Sequence, residues 1–168
     1  MKLNIGCGKV YINGWTNLDN NKEVKADVYA DIEKKLPFKD KTFDRIICDN
    51  VLEHIPQDKI RGILEEFIRV LKLDGKLEIY APHFTGILVK YLGHYKGYGV
   101  NSFCDERDLF KVVDKELILV SRCSSAGYKS LRFLNRFNFL FNFNKTWQQL
   151  CEKFWFGGFE EIHYTIRR

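Results

Sequence analysis

The sequence predicts an α/β fold: a doubly wound, seven-stranded, mostly parallel sheet that is shortened at its first helix. Three observations predict it. Short apolar runs alternate with turns and one strongly periodic helix through the first half of the chain, the pattern of strand–crossover–strand units. The opening run, Lys2-Leu-Asn-Ile5, leads straight into a Gly6-Cys-Gly8 turn, and an acid, Asp19, closes the next apolar run. Between that glycine turn and the second strand only Lys9 to Gly14 remain, too few for a crossover helix.

Each element follows from local pattern. Leu3-Asn-Ile5 reads as the first strand. Trp15–Asp19 reads as the second, after an Asn13-Gly14 turn. Val28–Ile32 is the third. Phe43–Cys48 is the fourth, and its Ile-Ile-Cys run fits a parallel sheet covered on both faces. Pro56 to Lys72 is the clearest helix: Ile60, Ile63, Leu64, Phe67, Ile68 and Leu71 form one apolar stripe, and Pro56 suits a first helical turn. Asp74-Gly75 then turns into the fifth strand, Lys76–Ala81. Pro82–Asn101 reads as a loop, and a short helix is expected over Asp105–Val113 with Asp105 as its cap. Leu117–Val120 is the sixth strand. Thr146–Phe156 reads as a helix with Trp147, Leu150, Cys151 and Phe154 on one face and Gly157-Gly158 as its stop. Ile162–Ile166 is the seventh strand, expected to be antiparallel and near an edge. Residues 128–144, rich in Phe, Asn and Arg, show no decisive period. No linker or repeat divides the chain, so residues 1–168 read as a single domain.

Composition bounds the function. The chain is 45% apolar and 29% charged, ordinary for a globular protein, with 14 Phe and 8 Tyr. No uncharged apolar run approaches the ~20 residues of a membrane span, and the first strand leaves no space for a leader peptide; both point to the cytoplasm. The five cysteines form no CxxC pair, so neither a metal site nor a disulfide framework is indicated. The net charge of +5 belongs entirely to residues 85–168, and no acid occurs from Leu117 to Cys151. That asymmetry points weakly to an acidic ligand or surface.

A strand, a glycine turn and an acid at the tip of the next strand form the elements of a nucleoside site. Glycine lets backbone approach a ligand closely, and a carboxylate can accept from both ribose hydroxyls. A nicotinamide site would need a third glycine, and Tyr11 stands there instead. Further motifs follow in order: Gly14-Trp-Thr-Asn-Leu-Asp19, Ala30-Asp-Ile32, Leu36-Pro-Phe38, Phe43-Asp44, Val51-Leu-Glu-His-Ile55 and Arg69-Val-Leu-Lys-Leu-Asp-Gly75. On these residues the chain resembles the small class I S-adenosylmethionine-dependent methyltransferases over about residues 2–84. The resemblance implies a Rossmann-like methyltransferase fold with S-adenosylmethionine as cofactor. It places Gly6, Cys7 and Gly8 under the methionyl and ribose parts, Asp19 on the ribose hydroxyls and Asn20 beside the adenine. Asp31 would accept from the adenine amino group, Ile32 would lie against the ring, and Asp49 and Asn50 would face the methionyl end. The chain departs from the family in its short first crossover and in starting at the first strand, without the family's usual N-terminal helices.

Each assignment has a structural alternative. Asp49 and Asn50 could equally cap the Leu52–Ile55 turn, and His54 suits a hydrogen-bonded structural role. No catalytic group is demanded, because methyl transfer from a sulfonium needs mainly alignment and exclusion of water. If the unidentified methyl acceptor must lose a proton, His54, His83, His94, Tyr95 and Tyr98 are the candidate bases. The rival reading is a non-catalytic module on the same fold. Its basic aromatic C-terminal half, with Arg122, Lys129, Arg132, Arg136 and Lys145 among Tyr128, Phe133, Phe137, Phe139, Phe141, Phe143 and Trp147, could meet nucleic acid or an anionic membrane surface. Alternation over Phe137–Phe143 also fits a half-buried surface such as a homodimer contact.

Overall fold

The computed structural model describes residues 1–86, 90, 93–119, 129–154 and 159–167. Seven strands form one sheet: β1 (Lys2–Ile5), β2 (Thr16–Asp19), β3 (Val28–Tyr29), β4 (Phe43–Asp49), β5 (Leu71–Pro82), β6 (Lys111–Ile118) and β7 (Glu161–Arg167). Their order is β3-β2-β1-β4-β5-β7-β6. β1 to β5 run parallel, and β7 is antiparallel to both β5 and β6. The winding reverses between β1 and β4, so the carboxyl ends of these two strands frame a crevice.

Helix α1 (Gln57–Val70) follows Pro56 as the sequence predicts and buries Ile60, Ile63, Leu64, Phe67, Ile68 and Val70. They pack in one core with Leu3, Ile5, Leu18, Ile46, Cys48, Leu77, Ile79, Ala81, Ile162, Tyr164 and Ile166. Strand register puts all these residues on the same sheet face. Each buried Leu, Ile or Phe contributes roughly 1.5–3 kcal/mol of transfer free energy, so this layer dominates stability.

The other face differs from expectation. The Ile-Ile-Cys run is not covered on both sides: Ile46 and Cys48 are fully buried under α1, whereas Ile47 is half-buried on the opposite face. The described crossovers from β1 to β4 are turns, so no helix of that segment covers this side. Its strands are polar instead. Glu78 accepts from the Arg45 guanidinium and pairs with Lys76 at 2.9 Å, and Tyr80 stacks on His163 with ring centroids 4.0 Å apart. Burial alone would raise the Glu78 carboxyl, but Arg45 and Lys76 hold it below its ordinary range. Arg45 also lies over the Trp15 ring at 5.3 Å.

Three other expectations change. β7 is antiparallel and next to the edge strand β6, as expected, but the Asp74-Gly75 turn does not separate helix from strand: β5 starts at Leu71, directly after α1, and runs through both residues. The helix expected over Asp105–Val113 does not form; residues 101–109 are turns and β6 starts at Lys111, where pairing with β7 satisfies the backbone and outweighs one weak cap. Val28–Ile32 is strand only at Val28–Tyr29. Val120, the predicted end of the sixth strand, lies outside the described residues, as do Arg122, Cys123, Tyr128 and the Gly157-Gly158 stop.

The Phe/Asn-rich segment, whose period is indecisive in the sequence, is set by the edge of β6. Residues Lys129–Leu140 form a 3₁₀ helix, followed by α2 (Lys145–Phe154), along the free edge of β6. Asn142 accepts from Leu117 N at 2.7 Å and donates to Leu117 O at 2.9 Å, Asn138 accepts from Leu119 N at 3.2 Å, and Gln148 donates to Lys115 O. The asparagines point inward because an edge strand presents unpaired backbone groups that amides can satisfy. Phe137, Phe139 and Phe143 face solvent as a result, and among the described side chains of α2 Gln148 and Cys151 are buried while Trp147 and Leu150 remain exposed.

Where a crossover helix is missing, a polar knot holds the chain. Asn17, fully buried on β2, accepts from Asn4 Nδ2 at 3.0 Å and Ile12 N at 2.9 Å. It donates to the carbonyls of Ile12 and Trp15 and to Asp27, each at 3.0 Å. Asp27 in turn accepts from Asn17 N at 2.7 Å and from the Tyr11 hydroxyl at 2.6 Å. Asn17→Ala strands several of these groups and is expected to cost about 2–4 kcal/mol. Thermal unfolding should then fall by roughly 5–12 °C; a midpoint within about 2 °C of the parent would show that the knot does not hold the turn.

Candidate functional site

The glycine turn at the end of β1 has one residue with no alternative. Gly6 sits at φ +63°, and a Cβ there would lie 2.3 Å from Val51 Cγ2. Both the backbone angle and the contact exclude a side chain. Cys7 N donates to Leu18 O at 3.0 Å, which ties the turn to β2. Gly8 N donates to Asp19 Oδ2 at 2.7 Å, and Asn21 N donates to Oδ1 at 2.9 Å. Asp19 is 8% exposed, so both its oxygens are engaged by backbone donors while each keeps lone-pair capacity for a ligand.

The cleft at this point has a volume of about 370 Å³. Gly6, Leu18, Asp19 and Asn20 form one wall, Ala30, Asp31, Ile32 and Glu33 the next, and Asn50, Val51, His54 and Ile55 the third. Asn50 takes φ +53°, a left-handed conformation that asparagine tolerates better than most residues, and its N–H donates to Tyr80 O at 2.9 Å. Its side chain donates to Asp49 Oδ1 at 2.7 Å. Asp31 accepts from Glu33 N at 3.0 Å and lies 3.6 Å from the Lys34 ammonium, half exposed at the rim.

The fold thus gathers Gly6, Asp19, Asn20, Asp31, Ile32, Asn50 and His54 around one cleft. It does not line that cleft with Cys7, Gly8 or Asp49: Gly8 acts through Asp19, Asp49 through Asn50, and the Cys7 thiol points to Lys25 O at 3.6 Å. Burial and the nearby Asp19 raise the Cys7 thiol above its ordinary value, so it is a packed thiol rather than a nucleophile.

The candidate bases separate. His54 lines the cleft, with Nδ1 3.1 Å from Gly93 O. His83 is fully buried, its ring nitrogens 2.8 Å from Thr85 Oγ1 and 2.9 Å from Glu152 Oε1, which fits a structural role. Tyr98 is also fully buried; its hydroxyl donates to Leu52 O at 3.2 Å, and burial raises it well above an ordinary phenol. Tyr95 is 66% exposed and does not line the cleft. His94 lies edge-on to His54 at 4.6 Å.

Sequence reasoning missed Glu53. It is fully buried in the 3₁₀ turn Leu52–His54, and neither carboxylate oxygen has a hydrogen-bond partner among the described residues. Glu53, His54 and His94 each present a donor atom within 4.8 Å of the others, a grouping that could receive a cation. No zinc-type spacing marks them, because the grouping forms only when Tyr95 N donates to Glu53 O at 2.7 Å and folds the loop back.

Residues 11–79 match a family model described as a methyltransferase domain. An uncharacterized protein of Methanocaldococcus jannaschii is 36% identical over 83 residues, which are 46% of this chain and 35% of that protein. Among solved structures, a SAM-dependent methyltransferase from Archaeoglobus fulgidus aligns over 99% of this chain and 85% of its own, with a TM-score of 0.65 and 17% identity. The Burkholderia thailandensis 1,6-didemethyltoxoflavin-N1-methyltransferase, crystallised with 1,6-didemethyltoxoflavin and S-adenosylhomocysteine, aligns over 99% of this chain and 70% of its own, with a TM-score of 0.60 and 13% identity. At such identities the structural likeness carries the fold.

Burial pushes Glu53 up to about 8 from an ordinary value of 4.5, and the charges of Asp49 and Glu161 add to the rise. Between those two values the folded chain holds a proton that the unfolded chain has released. Stability from this group is therefore intact below about pH 4.5 and declines as pH rises toward 8. Glu53→Gln removes the ionisation while keeping the shape, so its stability relative to the parent should improve by about 4 kcal/mol from pH 5 to pH 8.5 in denaturant melts. A difference between the two proteins that does not change with pH would contradict the buried acid.

Proposed function

We propose, from a fold and a motif order that are those of the class I S-adenosylmethionine-dependent methyltransferases, that this chain binds S-adenosylmethionine in the cleft at the ends of β1, β2 and β4 and transfers its methyl group to an acceptor. The single observation that carries the reading is Asp19: a nearly buried carboxylate, fixed by Gly8 N and Asn21 N, that lines a cleft directly beside a glycine with no room for a Cβ.

The residues present suit this ligand. A volume of about 370 Å³ lies in the range of small-molecule sites. Asp19 is placed to accept from two adjacent hydroxyls. Leu18, Ile32 and Ile55 offer apolar wall to a purine face, and Asp31 at the rim can accept from an exocyclic amine. Asn50, held by Asp49 and by Tyr80 O, offers its side-chain carbonyl to an ammonium at the methionyl end. A sulfonium donor supplies an already activated methyl group, so the attacking atom forms a bond to the methyl carbon while the carbon–sulfur pair returns to sulfur. The protein's task is then to align the two reactants and exclude water. His54 is the cleft-lining imidazole that could take a proton where the acceptor must release one. The Asp19 anchor also accounts for a cofactor loop without its helix: a side-chain carboxylate fixes Gly8, where the crossover helix would otherwise order the turn.

Calorimetric titration with S-adenosylmethionine and S-adenosylhomocysteine tests this reading. Both should bind, and Asp19→Ala should weaken binding by about 1–3 kcal/mol, the order expected when a charged acceptor for ribose is lost. Melting curves of the variant separate lost contact from lost fold. Absence of binding at millimolar ligand to the folded parent chain would overturn the proposal.

A further inference from the structure

A second cavity, of about 570 Å³, lies between the turn at 100–107, β6 and α2. It shares no lining residue with the cofactor cleft. Its floor is apolar, with Val100, Phe103 and Phe110 each buried. Its polar lining consists of Arg107, Lys111, Lys115 and Lys145, the amides Asn101, Gln148 and Gln149, and the Cys104 thiol. No acid lines it. Of the acids close by, Glu152 accepts from Val100 N and contacts His83, Asp108 pairs with Arg61, Glu106 is buried, and Asp114 and Glu116 lie on the face of β6 opposite Val112 and Lys115.

Four cations around one hollow is an unfavourable arrangement without a counter-charge. None of the four makes an ion pair with an acid among the described residues. The Lys115 ammonium donates to Val100 O, and Arg107 donates to Cys104 Sγ at 3.3 Å. Desolvation above all lowers the Lys115 ammonium below its ordinary value; the charges of Lys145 and Arg107 act in the same direction and those of Cys104 and Glu152 against it. The amides that shape the wall are locked: Gln148 donates to Lys115 O and, at 2.9 Å, to Asn142, and Gln149 donates to Asn101 at 3.2 Å. The cavity is thus prebuilt by the same amides that cover the β6 edge. It also gathers much of the positive excess that distinguishes the second half of the sequence.

We infer that this cavity is a binding site for an organic phosphate, its phosphoryl group among Arg107, Lys111, Lys115 and Lys145 and its apolar part against Phe103 and Phe110. Phosphate rather than carboxylate follows from the charge count, since a phosphomonoester or diphosphate presents up to three or more acceptor oxygens to several cations at once. The volume exceeds what a bare phosphate needs. Lys145 also borders a shallow groove with exposed Trp147 and Leu150, so a phosphate carried on an apolar chain would find contacts outside the cavity. The inference does not depend on the cofactor reading.

Titration of the full chain with inorganic pyrophosphate tests it, with S-adenosylhomocysteine binding and the melting point read in parallel as separate measures of the first site and of folding. Pyrophosphate should bind, more weakly at higher salt, and should slow alkylation of Cys104 mapped by mass spectrometry. The double variant Lys115→Gln/Lys145→Gln should lose at least about tenfold in pyrophosphate affinity, as expected for two charge-assisted contacts, while Lys39→Gln, a remote exposed control, should not. Sedimentation with phosphatidylcholine vesicles containing phosphatidic acid distinguishes the source: capture that the double variant abolishes assigns a lipid headgroup, and pyrophosphate binding without vesicle capture assigns a soluble phosphate. No pyrophosphate binding by the folded chain at 10-millimolar order, or binding that the double variant retains unchanged, would overturn the site.

Discussion

Asn17 occupies the position on which the β1–β2 side of the molecule and the cleft beside it depend. Its amide sits between β1 and β2, where it bonds Asn4 across the strands, both backbone groups of Ile12 in the turn, and Asp27 beyond β2. A crossover helix would satisfy its own backbone and bring an apolar face. Six residues can do neither, so their backbone groups need partners from side chains. One buried amide offers two donor hydrogens and two acceptor lone pairs, and here all are used: its oxygen accepts twice and its two hydrogens are shared among three acceptors. Because β2 is held by this knot, Asp19 at its tip is delivered to Gly8, and the cleft acquires its fixed acid.

The same economy of helix recurs across the molecule. On the α1 side the sheet is apolar and dry. On the other side Arg45, Lys76 and Glu78 form a charged network with His163 beside it, and Trp15 and Tyr80 supply flat rings to shield it. Exposed ion pairs of this kind contribute little individually, but Glu78 is nearly buried and leaving it without Arg45 would strand a charge. At the β6 edge, Asn138, Asn142 and Gln148 pair with strand backbone and block further strand addition. Polar side chains therefore take over tasks that packed helices perform in a fuller version of the fold.

Two cavities result, with opposite chemistry. The first is acidic and small, built where parallel strands end and the winding reverses. The second is basic, built where a 3₁₀ helix and α2 are drawn against an edge strand by amide bonds. Lys115 and Gln148 belong to both the edge cover and the basic wall, so the geometry of the second cavity is set by the interactions that complete the sheet.

Local pattern determined a good deal. The period of Ile60–Leu71, the Gly6–Gly8 turn, the Asp19 tip and the absence of room for a first helix were all readable, because each depends on residues close together along the chain. Cleft residues Gly6, Asp19, Asn20, Asp31, Ile32, Asn50 and His54 come from successive strand tips, and motif order alone collects them. What sequence could not settle depends on partners far away in the chain. Whether Asn or Phe faces inward over 137–143 is decided by the bare edge of β6. Glu53 joins His94 only because the 93–95 loop folds back, and Arg107 meets Lys145 only across β6. Periodicity reports which face a residue shares with its neighbours, whereas the tertiary structure alone decides what that face meets, since burial and charge are set by atoms that sequence separation does not bring together.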